Sequence, residues 1–131
     1  MRMNIKTTFP GGLKVSASSG EFTISTDQPK NSGGDGSAPS PFILFLSSIA
    51  TCAGYFALAF CKKRDISTEG MELNASFERN PESHKLEDAK LVLTLPKGFP
   101  EKYHKPILRA MDQCSVKKTV LDPPNFEITL D

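Results

Sequence analysis

The 131-residue sequence has little of several features that commonly identify a protein class. It contains three cysteines, which are too few for a disulfide framework and odd in number. Sixteen basic residues stand against fifteen acidic ones, so no excess of positive charge is available to neutralise phosphates, and nucleic-acid binding is not expected. The N-terminal stretch lacks the apolar run of a secretory signal peptide, which favours a reducing, cytoplasmic location for the thiols.

Recognisable metal and cofactor motifs are also lacking. His84 and His104 have no zinc-ligand spacing to any cysteine. The glycine-rich run Gly33–Gly36 is not followed by the Gly-Lys-Ser or Gly-Lys-Thr ending of a phosphate-binding loop. The sequence therefore predicts neither a metal site nor a bound cofactor, and it shows no Ser-His-Asp arrangement.

The length and composition are those of one globular domain spanning residues 1–131, with 38% hydrophobic and 24% charged residues. Alternation of apolar and polar residues predicts six strands, and helical spacing predicts a helix over residues 101–114. Three strands form an antiparallel meander before residue 27, and two more pair after residue 70. The strands are marked by Met3–Phe9, Leu13–Ala17, Phe22–Thr26, Met71–Glu78, Ala89–Leu95 and the group Phe126, Ile128 and Leu130.

The segment Pro41–Cys61 contains no charged residue, and it is long enough as a helix to cross a membrane. The alternative is a buried core helix, capped by Ser40 with Pro41 in its first turn. We favour burial, because a membrane span would separate the strands on its two sides and leave each group to close a core alone. The helix is apolar on every side, so a second copy of the chain is the simplest cover for the side that one sheet leaves open. The predicted fold class is therefore α+β, with antiparallel strands around a long buried helix in a homodimer.

The three cysteines differ in their surroundings. Cys52 and Cys61 lie nine residues apart, which places them on opposite faces of the helix. Residue pattern alone favours a small buried side chain for each, and Cys61 at the helix end keeps that interpretation. Cys114 interrupts the apolar pattern, and if it opens a short helix, backbone amides and the following lysines would favour its thiolate.

The run Gly33–Pro41, the apolar helix with Cys52 eleven residues after Pro41, and the later Cys114-Ser115-Val116 together resemble the OsmC/Ohr family over nearly the whole chain. The resemblance implies an α+β fold and an intertwined homodimer with two sites at its interface. It also implies reduction of a small organic hydroperoxide, with Cys52 matching the peroxidatic cysteine and Cys114 the resolving one. A dithiol would then serve as the reductant.

Two departures from the family pattern bear on the expected rate of peroxide reduction. Phe42 and Ile43 stand where peroxidase members of the family have a glutamate, and no arginine lies between Thr7 and Pro41. In the middle of an apolar helix, desolvation is expected to raise the pKa of Cys52 unless a cation compensates, so turnover is expected to be slow. Two alternatives remain open at this point. One is a non-catalytic dimer that senses oxidants or binds an apolar ligand, and the other is a single-span membrane protein.

Overall fold

Three antiparallel strands open the chain. The computed structural model describes residues 1–131 and divides them into two compact units, Met1–Ser47 and Ser48–Asp131. In the first unit, β1 (Lys6–Gly11), β2 (Lys14–Ser19) and β3 (Phe22–Thr26) form the predicted meander in the order β1-β2-β3. The predicted first strand began too early, since Met3 precedes β1, and Leu13 lies in the turn rather than in β2. The single domain inferred from chain length stays a prediction.

The loop after β3 is held by a buried carboxylate. Both oxygens of Asp27 accept hydrogen bonds: Oδ1 from the Gln28 amide at 2.7 Å, and Oδ2 from the Ser37 hydroxyl and amide at 2.7 and 3.0 Å. These donors, led by the Ser37 hydroxyl, lower the pKa of Asp27 to about 2. Gly34 lies so close to the Gln28 carbonyl that a side chain would collide with the backbone there. The loop therefore has a defined conformation, held by the hydrogen bonds to Asp27 and by the close packing of Gly34 on the Gln28 carbonyl.

The long helix α1 spans Pro41–Lys63 and begins as predicted. The Ser40 hydroxyl accepts a hydrogen bond from the Ile43 amide at 3.3 Å, and Pro41 occupies the first helical position. By length and composition alone α1 could cross a membrane, and only 17% of its most apolar window is buried within the chain. Its buried residues form one stripe: Ile49, Ala53, Ala57, Phe60 and Cys61. A single chain therefore covers one face of α1, as expected, and the cover of the other side by a second copy stays a prediction.

The second unit closes its core between that stripe and a two-stranded sheet. Strands β4 (Glu72–Arg79) and β5 (Leu86–Thr94) pair antiparallel, with Leu73 opposite Leu93 and Ala75 opposite Leu91. Leu73 of β4 and Leu91 and Leu93 of β5 pack on the cluster that contains Ala57 and Ile107. Strand β4, which has the most regular alternation of apolar and polar residues in the sequence, thus forms part of one wall of this core.

Two short helices follow the sheet. A 3₁₀ turn over Glu101–Tyr103 leads into α2 (His104–Met111), which buries Ile107 and Met111. Helix α2 ends three residues earlier than predicted, and α3 (Ser115–Leu121) begins directly after Cys114. The predicted last strand is wrong, because residues 122–131 form no helix or strand in the chain. The side chains of Phe126, Ile128 and Leu130 are fully exposed there.

Candidate functional site

Cys52 lies at the edge of the buried stripe of α1, one residue before the buried Ala53. This position leaves its side chain partly exposed, whereas Cys61 is fully buried in the core. All three cysteines are free thiols. Cys52 is therefore the cysteine that a small molecule can reach from solvent.

A short turn between α2 and α3 brings Cys114 to the same place. The Asp112 amide continues the α-helical hydrogen bonding of α2, and the amides of Gln113 and Cys114 bond to carbonyls three residues back. Cys114 then adopts a non-helical conformation as the N-cap of α3. Its Sγ accepts a hydrogen bond from the Lys117 amide at 3.4 Å. This confirms that Cys114 opens a short helix. Because the first amides of a helix have no partner within it, those of Ser115 and Val116 are free to face another acceptor.

That acceptor is the sulfur of Cys52. Its Sγ lies 3.8 Å from Oγ of Ser115. The Val116 amide has the largest effect on the thiol, followed by the hydrogen bond from the Cys114 thiol, and together they lower the pKa of Cys52. The hydroxyl and amide of Ser115 act in the same direction, while partial burial opposes them. The expectation of a raised pKa for Cys52 is therefore wrong, because neutral donors from a distant segment stabilise the thiolate without a cation.

The surroundings of Cys114 shift its pKa in the opposite direction. It is almost fully buried, and burial is the main cause that raises its pKa. The Lys117 amide lowers it in part, and Cys52 raises it further, since a thiol that donates to a neighbouring thiolate holds its own proton. The expectation that lysines favour a Cys114 thiolate is wrong. The ammonium of Lys117 lies 2.6 Å from Oδ1 of Asp112 and is paired there.

Cys61 has a different environment. It packs in the core cluster with Ala57, Ile107 and Met111, and burial raises the pKa of its thiol, with the Arg64 charge opposing. The structure thus brings Cys52 together with Cys114 and places Cys61 in the apolar core. Sequence reasoning identified the pair but missed the donors Ser115 and Val116. Their only signal was adjacency to Cys114 at the start of a helix.

The chain contains no cluster of metal-ligating side chains. No group of three or more histidine, cysteine, aspartate or glutamate side chains could hold a metal ion. The arrangement around Cys52 is thus two thiols and three neutral groups that donate hydrogen bonds. In chemical terms it favours one thiolate that is partly exposed, beside one protonated thiol that is buried.

Comparison with known proteins gives a family match over most of the chain. Residues 34–129 match the family model described as OsmC-like protein. A search of curated proteins finds no significant match.

Solved structures share the fold at low sequence identity. A candidate osmotic stress induced and detoxification response protein from Psychrobacter arcticus 273-4 superimposes with a TM-score of 0.75 at 23% identity, covering 88% of this chain and 85% of that one. An OsmC-like protein from Mycoplasma pneumoniae gives a TM-score of 0.73 at 20% identity, covering 94% and 89%. An organic hydroperoxide resistance protein from Elizabethkingia anophelis gives 0.60 at 19% identity, covering 91% and 88%. These similarities show that the mixed fold, with antiparallel strands and a long helix, is shared with those proteins.

Proposed function

The chain belongs to the OsmC-like protein family, and from that premise we propose that it reduces organic hydroperoxides with the thiols of Cys52 and Cys114. One observation carries the proposal. Four neutral donors converge on the sulfur of Cys52 and favour its thiolate: the Val116 amide, the Cys114 thiol, and the hydroxyl and amide of Ser115. A thiolate that is partly exposed to solvent is the nucleophile that thiol peroxidase chemistry requires.

In the first step, the Cys52 thiolate attacks the terminal, hydrogen-bearing oxygen of the hydroperoxide and the O–O bond breaks. The leaving alkoxide takes a proton and departs as an alcohol, while Cys52 is oxidised to a sulfenic acid. The donors that hold the thiolate also face the developing charge on the reacting atoms. A buried, protonated Cys114 is a suitable neighbour, because it does not compete as the nucleophile.

In the second step, the sulfur of Cys114 displaces the hydroxyl group of the sulfenic acid. A Cys52–Cys114 disulfide forms, and the Cys114 proton leaves with the hydroxyl group as water. A dithiol then reduces this disulfide by thiol–disulfide exchange and is itself oxidised to a disulfide. The hydrogen bond between the two thiols supports the pairing, because it joins the two side chains that must form the disulfide.

We expect this turnover to be slow. The groups that lower the pKa of Cys52 are all neutral, with no arginine or lysine among them. An arginine fork would stabilise charge on the peroxide oxygens as well as on the sulfur, and loss of such a preorganised donor set commonly lowers a rate by about 10² to 10³.

Peroxide consumption tests the proposal directly. With cumene hydroperoxide and an excess of dithiothreitol, the wild-type protein is expected to turn over many equivalents, and Cys52→Ser none above the uncatalysed rate. Cys61→Ser is the matched control on the same helix and should retain wild-type turnover. Equal rates for wild type and Cys52→Ser would contradict the proposal. Oxidation of a single equivalent without turnover would also contradict it, and would favour an oxidant sensor.

We further propose that the working form is a cytoplasmic homodimer. On α1, Ile43 is 50% exposed and Leu58 is 38% exposed, although both are large and apolar. The segment with Phe126, Ile128 and Leu130 alternates like a strand but has no pairing partner within the chain. Apolar surface of this extent favours self-association, and the second copy would cover both features.

Light scattering tests the dimer. A mass twice the 14.3 kDa of one chain is expected in the absence of detergent. Removal of residues 123–131 should weaken the dimer, since that deletion takes away the unpaired segment. A monomer at micromolar concentration, or a need for detergent, would contradict this assembly.

A further inference from the structure

A salt bridge spans the turn that carries the second cysteine of the site. The Lys117 ammonium donates a hydrogen bond to Oδ1 of Asp112 at 2.6 Å. Asp112 is the C-cap residue of α2, and Lys117 lies in the first turn of α3. The two charges therefore enclose residues 113–116, called the cysteine turn below, from which the hydrogen-bond donors reach the sulfur of Cys52.

Lys117 holds the cysteine turn with its backbone as well as with its side chain. Its amide donates a hydrogen bond to Sγ of Cys114 at 3.4 Å, which is the N-cap interaction of α3. Its side chain returns to Asp112, at the end of the preceding helix. A single residue thus ties the beginning of α3 both to the cysteine and to α2.

The two charges are not placed where they stabilise their own helices. A negative charge at the C-terminal end of a helix and a positive charge in its first turn both oppose the helix dipole. Asp112 and Lys117 stand in these unfavourable places on α2 and α3. Helix stability therefore does not explain the two residues, whereas their attraction to each other, which holds the two helix ends together, does.

Packing within the chain fixes the cysteine turn at one point. Cys114 is 1% exposed, but no residue of α3 is buried. The Thr119 hydroxyl donates to the Ser115 carbonyl, a contact that acts inside α3 and does not tie it to α2. The ion pair supplies such a tie across the turn. It lies within one chain, so it acts whether or not a second copy covers α3.

We propose that Asp112 and Lys117 are a positioning pair, which holds the cysteine turn so that its donors meet the sulfur of Cys52. Neither charge is among the groups that act on this thiol directly. The Ser115 hydroxyl lies 3.8 Å from the sulfur, so a small displacement of the turn would weaken the contact. The proposal deepens the proposed function and rests on it, because it concerns the thiolate that peroxide reduction requires.

Asp112→Asn separates positioning from a direct effect of charge. Removal of a nearby negative charge by itself lowers the pKa of a thiol, whereas loss of donors to the thiolate raises it. We expect a raised pKa for Cys52, with alkylation of Cys52 by iodoacetamide at neutral pH slower by about twofold to threefold, within the range of one exposed ion pair. Alkylation across pH, followed on the Cys52 peptide by mass spectrometry, measures this. An unchanged or lowered pKa would overturn the proposal.

Reversal of the two charges tests rescue. Asp112→Lys alone places two ammonium groups together and should raise the pKa of Cys52 further than Asp112→Asn does. Combination with Lys117→Asp restores the attraction and should return the pKa close to that of the wild type. Lys118→Gln is the matched control on α3, since it removes a charge outside the salt bridge, and it should alkylate as the wild type does. A double variant with the pKa of Asp112→Lys would overturn the proposal.

Salt provides an independent check of the ionic origin. High salt screens an exposed ion pair, so the difference in Cys52 pKa between wild type and Asp112→Asn should shrink. A difference that salt leaves unchanged would overturn the role of the ion pair. Because alkylation uses no peroxide, the two proposals fail separately. Peroxide turnover with equal alkylation of wild type and Asp112→Asn would overturn positioning alone, and the expected alkylation series without peroxide turnover would overturn the peroxidase alone.

Discussion

The sulfur of Cys52 lies 3.8 Å from the hydroxyl oxygen of Ser115, although 63 residues separate them in the sequence. The contact joins the middle of a long apolar helix to the first residue of a short one. It places a thiol that desolvation alone would keep protonated beside groups that donate hydrogen bonds to its charged form. The chemistry proposed for the chain depends on this approach.

Ser115→Ala should raise the pKa of Cys52, because it removes one donor to the thiolate. We expect the rate of iodoacetamide alkylation of Cys52 at neutral pH to fall by roughly threefold to tenfold, the effect of one hydrogen bond of about 1 kcal/mol. Alkylation measured across pH gives both the pKa and the limiting rate. Thr119→Ala is the matched control, since its hydroxyl donates to the Ser115 carbonyl at 2.8 Å instead. An unchanged pKa in Ser115→Ala would mean that the hydroxyl donates elsewhere in solution.

Cys114→Ser should change the product of oxidation rather than the first attack. Without a thiol to condense with, the sulfenic acid on Cys52 persists or is oxidised further to sulfinic acid. Intact mass after treatment with cumene hydroperoxide should therefore show the gain of one or two oxygen atoms. Wild type should instead lose two hydrogens. Formation of a disulfide in the Cys114→Ser chain would show that Cys61 can take part.

Asp27→Asn should loosen the loop over residues 27–40, because an amide cannot accept three hydrogen bonds with both of its polar atoms. The folded-state pKa of Asp27 is lowered to about 2 from an ordinary value of 3.8. Its contribution to stability is therefore fully present above about pH 4 and is lost as the pH falls towards 2. Thermal unfolding of wild type should show this loss, and Asp27→Asn should have a lower Tm at pH 7 and a flatter profile between pH 4 and 2.

Asp35→Asn is the control in the same loop. Its carboxylate pairs with Lys14 at 2.6 Å, but the side chain is exposed, so its loss should change Tm little. Equal losses of Tm in Asp27→Asn and Asp35→Asn would contradict the special role given to the buried carboxylate.

Local pattern was enough to predict the elements whose signals are local. The alternation around Leu73 and Ala75 gave β4, and Ser40 with Pro41 marked the start of α1, because side-chain period and capping act within a few residues. The pKa of Cys52 could not be predicted in this way. Its donors lie on a segment distant in sequence, and only the packed chain brings their amides to the sulfur.

The segment with Phe126, Ile128 and Leu130 shows a second kind of limit. Its alternation is typical of a strand, but a strand forms only where an edge offers hydrogen bonds, and one chain offers it none. Helix α1 is likewise apolar on every side, and a single chain covers one stripe of it, as expected for a helix whose other side is left to a second copy. In both cases the apolar pattern of the sequence indicates apolar surface that a single chain leaves exposed to solvent.

Disulfide mapping after oxidation by one equivalent of cumene hydroperoxide tests the central claim most directly. Free thiols are blocked under denaturing conditions, the protein is digested without reduction, and the linked peptides are identified by mass spectrometry. We predict a single bridge within one chain, between Cys52 and Cys114, with Cys61 recovered in its blocked form. A bridge that contains Cys61, a bridge between two chains, or three free thiols after the peroxide has been consumed would contradict the account.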